Sequence, residues 1–184
     1  MYKIHLAPLN FADAKLLDKL SKALNHIFGA EILTYALDIR IDDFRSEERS
    51  QYFSTKIIAE AAKQTGSVDG KVLMLIEHDL YVPIFTFIFG EAQLNGKLSI
   101  VSLCRLHEEF YSGNTNEELF FTRLIKESLH ELGHNFGLKH CQDWDCVMHS
   151  SAGIEEVDIK GEFYCDTCAK VVQNETKTKI TSRI

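Results

Sequence analysis

The stretch that decides the reading is HELGHNFGLKH, His130 to His140. His130 and His134 are four residues apart. On an α-helix that spacing puts both imidazoles on one face, a turn apart, where both can reach one metal ion. Glu131 projects from a neighbouring direction and can reach a metal-bound water without ligating the metal. Gly137 can take a backbone conformation that turns the chain sharply. His140 can then approach the same metal from outside the helix. Three neutral histidines leave one coordination position open, as a catalytic zinc requires. The expected chemistry is hydrolysis of a peptide bond. Zinc lowers the pKa of its bound water to roughly 7, Glu131 takes the proton as general base, and the proton passes to the leaving amine.

Working outward, Asn116 caps a long helix that runs to about Phe136, with Glu117 and Glu118 in its favourable first turn. Downstream lie four of the five cysteines: Cys141, Cys146, Cys165 and Cys168. Two short pairs separated by a loop match the spacing of a closed four-thiolate structural zinc site. Two local disulfides or unpaired buried thiols are the alternatives, and a reducing compartment favours metal. Because Cys141 adjoins His140, a metal on Cys141 would hold the chain that presents His140 to the first metal. Cys104 reads as an inert core thiol in an apolar strand.

Upstream, strands are expected over Tyr2–Leu6, Glu31–Ile41, Val72–Glu77, Phe85–Phe89 and Lys97–Leu103. Helices are expected over Phe11–Phe28 and Gln51–Gln64, and a short one near Cys165. Strands and helices alternate in the first half, which predicts one α/β domain over residues 1–184, its last ten or so residues frayed. The length suits a single core. Hydrophobic residues are 45% and charged residues 26% of the chain, an ordinary balance for a globular protein. The net charge of -7 and the lack of a Lys/Arg run argue against a nucleic-acid partner. MYKIHLAPLN lacks the apolar stretch of a signal peptide, and no run is long enough to span a bilayer. The expectation is a cytoplasmic, membrane-free monomer that meets a peptide or small-protein substrate.

The run from His130 to Cys168 resembles the archaemetzincins, a branch of the metzincin metallopeptidases. HELGHNFGLKHC, CVM at Cys146–Met148 and CDTC at Cys165–Cys168 carry the resemblance, with support from FGEAQL at Phe89–Leu94 and the segment Ser102–Leu106. The resemblance implies a compact α/β metzincin-like domain, with a mixed twisted sheet, packed helices including the HExxH active-site helix, and a C-terminal four-cysteine zinc site. It implies two zinc ions per chain: a catalytic one on His130, His134 and His140, with Glu131 as base, and a structural one on Cys141, Cys146, Cys165 and Cys168. Met148 fits the Met-turn, a hydrophobic floor beneath the metal. By the same analogy the Lys97–Leu103 strand lies at the cleft rim and pairs with an extended substrate.

Two readings remain open at this point. One is a zinc metallopeptidase. The other is a non-catalytic, zinc-stabilised peptide-binding protein with a degenerate or cryptic peptidase site. Glu131 speaks against the second, since a purely structural zinc does not need it. His149 reads as an ordinary loop histidine and Trp144 as a packing residue. His5, His26, His78 and His107 lack ligand spacing. Glu108, Glu109, Glu117 and Glu118 read as a solvated acidic surface.

Overall fold

A computed structural model describes residues 1–180. In chain order the elements are β1 (Lys3–Leu9), α1 (Ala14–Phe28), β2 (Glu31–Thr34), β3 (Arg45–Ser46), β4 (Gln51–Phe53), α2 (Ser54–Gln64) and β5 (Lys71–Ile76). They continue as β6 (Leu80–Tyr81), β7 (Gly90–Ala92), β8 (Leu98–Ser102), α3 (Glu109–Ser112), α4 (Glu117–Asn135), α5 (Ile154–Ile159) and α6 (Asp166–Thr176). The main sheet has the order β2-β1-β5-β8-β7. Its first four strands are parallel and β7 is antiparallel, so the sheet is mixed, as expected. A small second sheet joins β3, β4 and β6.

The uninterrupted apolar run of β5 has a simple cause. Alternate side chains enter two cores: Leu73 and Leu75 face α1 and α4, while Val72, Met74 and Ile76 face α2. A strand covered on both faces needs apolar residues at every position. The expected central strand is therefore confirmed. The expected caps are also found: Asn116 accepts from the Leu119 amide at 3.0 Å at the start of α4, and Gly29 ends α1 in the left-handed region.

Several boundaries differ from the sequence reading. β2 stops at Thr34, well before Ile41. The Tyr35 amide still donates to Leu6, but the next rung needs a donor at residue 8, and Pro8 has no N–H. Gln51–Phe53 is a strand paired with β6, and helix α2 starts only at Ser54. Phe85–Phe89 is not a strand. It belongs to an irregular loop with a single bridge, Leu80 to Ile88. Ile84 and Phe85 are exposed there, and Phe85 lines a cleft instead of a sheet interior. The Arg49 guanidinium donates to the carbonyls of Phe85 and Thr86 and pins this loop.

The described part of the tail expected to fray packs against the domain. α6 runs to Thr176, and Ile180 is buried in the core formed by α1 and α4. The Thr178 hydroxyl donates to the Phe28 carbonyl at 2.7 Å, which ties this segment to α1. The rest of the expected frayed tail, 181–184, lies outside the described residues. Cys104 is not in a strand either; it opens a short 3-10 turn after β8, half-buried. Among the described residues, no helix is long and apolar enough to cross a membrane.

Candidate metal centres

Helix α4 packs beneath β5, β7 and β8 and carries His130, Glu131 and His134 to the floor of a cleft of about 1150 Å³. Gly137, at φ 88°, turns the chain out of the helix, and the Leu138 amide returns to the Gly133 carbonyl. His140 then comes back over the same point. One ring nitrogen from each of His130, His134 and His140 lies within 4.8 Å of the others.

The ring orientations are fixed from behind. His130 Nδ1 lies 2.9 Å from the Val147 carbonyl, and His134 Nδ1 lies 2.8 Å from the Leu138 carbonyl. A carbonyl can only accept, so both Nδ1 atoms carry the proton and both Nε2 atoms present lone pairs. Those two Nε2 atoms are 3.1 Å apart. With both protons committed elsewhere, a cation relieves two lone pairs that face each other. Burial also pushes the pKa of all three histidines below the usual range, most strongly at His130, so they are neutral at pH 7. Neutral imidazole is the form that binds zinc. The residues fit the metal.

Glu131 points into the same cleft, 4% exposed, and its Oε2 has no hydrogen-bond partner. Burial pushes its carboxyl well above the usual carboxylate range, with Glu127 adding to the effect. Below it, the fully buried Met148 seats its sulfur against α4 at Gly133, where any Cβ would overlap it.

The second cluster is equally compact. The sulfurs of Cys141, Cys146, Cys165 and Cys168 lie within 4.8 Å of one another. None is in a disulfide, and Cys141 and Cys165 sulfurs are 3.9 Å apart. Burial pushes the Cys146 thiol up to about 11 and raises Cys168 as well. Four thiols cannot ionise together in such a place without a cation, which is the donor set of a closed tetrahedral zinc site. The segment Val147–Met148 connects the two clusters: the Val147 carbonyl holds His130, and the Met148 carbonyl accepts from the Cys141 amide at 2.9 Å.

The structure adds residues that the sequence did not flag. Lys160 is fully buried and pairs with Glu127 at 2.7 Å, and its Nζ lies 3.5 Å from His130 Nδ1. Glu127 could have been noticed, since it sits one turn before Glu131 on α4. Lys160 had no local signal. Trp144 is half exposed and stacks on His149 at 3.8 Å, and both line the cleft instead of packing away from it. Glu108 is not a free surface acid; it pairs with the buried Arg123 at 3.0 Å. The strand at the cleft rim is β7, not the Lys97–Leu103 segment. β8 is buried along its whole length between β5 and β7.

Comparison with known proteins agrees with this geometry. Residues 41–174 match the model of Peptidase family M54. The chain belongs to the archaemetzincins. It is 36% identical to the archaemetzincin of Methanocaldococcus jannaschii over 94% of this chain and 93% of that protein. Against the archaemetzincin of Pyrococcus horikoshii, identity is 45% over 55% of this chain and 54% of that protein. The crystal structure of archaemetzincin from Methanopyrus kandleri superposes with a TM-score of 0.83 at 29% identity, covering 96% of each chain. That of Archaeoglobus fulgidus archaemetzincin, complexed with malonate, gives 0.77 at 32% identity, covering 92% of this chain and 99% of that one. The archaemetzincin membership makes this chain one of a family of zinc-dependent metallopeptidases, and its fold is theirs.

Proposed function

We propose that this archaemetzincin hydrolyses peptide bonds at the His130–His134–His140 centre, with Glu131 as general base and a second, structural zinc on the four cysteines. The observation that carries the reading is Glu131 itself: a buried carboxyl with an unpartnered oxygen, aimed into a cleft beside three neutral imidazoles. Leaving a carboxyl oxygen buried and unpartnered costs stability, and a structural metal site has no use for it.

When bound at the three histidines, zinc supplies a Lewis acid that acidifies water and polarises the scissile carbonyl. The chain's own groups do the rest. Val147 and Leu138 keep the two helix histidines in the tautomer that ligates. Glu131 takes a proton from the attacking water and delivers it to the departing amine. A carboxylate within reach of the attacking water is a competent group for that transfer. Among the described residues β7 pairs only with β8, so its outer edge can receive an extended peptide or small-protein segment by backbone pairing. The loop carrying Phe85 and Phe87 and the ring of Trp144 wall the cleft.

Chelation tests the proposal. A mixed peptide library should be cleaved by the zinc-loaded protein, stop being cleaved when a chelator strips the metal, and be cleaved again once zinc is returned. Binding of peptides without turnover by fully loaded protein would contradict it.

A further inference from the structure

β7 begins at Gly90, and Gly90 lies directly against the side chain of Glu131. A Cβ at this position would stand 2.6 Å from Glu131 Oε1 and 2.7 Å from its Cδ and Cγ. Its three nearest atoms all belong to Glu131. Non-bonded carbon atoms do not approach so closely without displacing something.

The backbone is not the reason for glycine here. Gly29, Gly70, Gly113 and Gly137 have positive φ, whereas Gly90 does not. Its strand conformation would admit any residue, so space and not backbone conformation calls for glycine here, and Glu131 is what stands nearest in that space. Neither partner can readily step aside. Gly90 is in register with Val101 of β8, and the Ser102 amide donates to Phe89 at 2.8 Å. The next residue, Glu91, is fastened to the start of α2: its carboxylate accepts from the Ser54 hydroxyl and from Thr55 at 2.8 Å. Glu131, for its part, is buried on a helix that β5, β7 and β8 cover.

We propose that Gly90 is a positioning residue, whose absent side chain sets where the Glu131 carboxylate rests beside the histidine cluster. The same backbone contact then fixes both the base and the strand edge offered to substrate. The proposal rests on the reading of Glu131 as the base.

Gly90→Ala should still bind metal at the histidines but lose kcat by on the order of a hundredfold, as a displaced catalytic group does, with KM little changed. Gly66→Ala, where an added Cβ meets nothing within 4 Å, serves as the control and should match wild type. Glu131→Gln is assayed alongside. If Glu131→Gln is fully active, the reading of the base fails whatever Gly90 does. If Glu131→Gln is inactive and Gly90→Ala keeps the wild-type kcat, the Gly90 proposal alone is overturned.

A double-mutant cycle on the metal-free protein tests the contact without catalysis. Gly90→Ala should lower the thermal midpoint by several degrees when Glu131 is present, and by much less in the Glu131→Ala background. Equal losses in both backgrounds overturn the proposal, because the conflict then lies elsewhere. If Gly90→Ala does not fold, the double variant decides: recovery of folded protein supports the contact with Glu131, and failure to fold overturns it.

Discussion

Met148 packs its sulfur into the notch that Gly133 leaves on α4, one residue before His134. The helix surrenders a good helix former to make that notch, since alanine would favour the helix by up to about 1 kcal/mol over glycine. Gly133→Ala should nonetheless destabilise the protein by about 1–3 kcal/mol through overpacking against Met148. Thermal unfolding of the zinc-loaded variant measures this. An unchanged or raised midpoint would mean that Met148 has room to move.

Lys160 and Glu127 form an ion pair sealed from solvent on both sides. Removing one partner strands the other charge. Lys160→Met should therefore cost about 3–5 kcal/mol, while the double replacement Lys160→Met with Glu127→Leu should recover most of that loss. Chemical denaturation of the two variants decides it, and equal losses in both would deny the pairing its importance.

The histidine and cysteine clusters share the Val147–Met148 segment, so metal binding at the two should not be independent. Cys165→Ser should lower the zinc content from two per chain to one. It should also weaken the remaining histidine-bound zinc by about 10–100-fold, as loss of outer support does elsewhere. Metal analysis and a competition titration read both effects. Retention of two zinc ions, or an unaltered affinity at the histidines, would separate the sites.

In the metal-free protein the buried groups pull stability in opposite directions with pH. Burial holds the folded pKa values of His130, His134 and His140 below the ordinary histidine value of 6.5. The unfolded chain therefore takes up protons first as pH falls, and their contribution to stability is lost progressively below about 6.5. Glu131 has the opposite sign. Its folded pKa lies above the ordinary 4.5, so the unfolded chain releases the proton first and stability declines as pH rises through that region. Glu131→Gln should consequently raise the midpoint of the chelated protein at pH 7. Midpoints measured in chelator between pH 8 and 5 test both signs, and a lowered midpoint for Glu131→Gln would contradict the buried-carboxyl account.

The two candidate metal-binding clusters are legible because their information is local. A helical turn separates His130 from His134, and Gly137 announces the turn that returns His140. The same is true of CDTC at the start of α6 and of the Asn116 cap. What the sequence hid depends on partners far along the chain. Lys160 meets Glu127 across 33 residues, and no periodicity marks a lysine as buried. Phe85–Phe89 has strand-like composition, yet its apolar side chains line a cleft where the sheet would have had to continue. β2 ends earlier than its composition suggests because the ladder is broken by Pro8 on the neighbouring strand, not by any residue of its own. Which strand borders the cleft follows from sheet order, and only the short β7 marks that edge.

The base is the centre of the account, and replacing one oxygen of Glu131 addresses it most directly. Zinc-loaded wild type and Glu131→Gln, matched for metal content, should be compared on the same peptide substrates. The account predicts full zinc in both and a loss of hydrolysis of at least about a hundredfold in the variant, the low end for general acid–base catalysis. A variant that carries its zinc and cleaves as fast as wild type would contradict it.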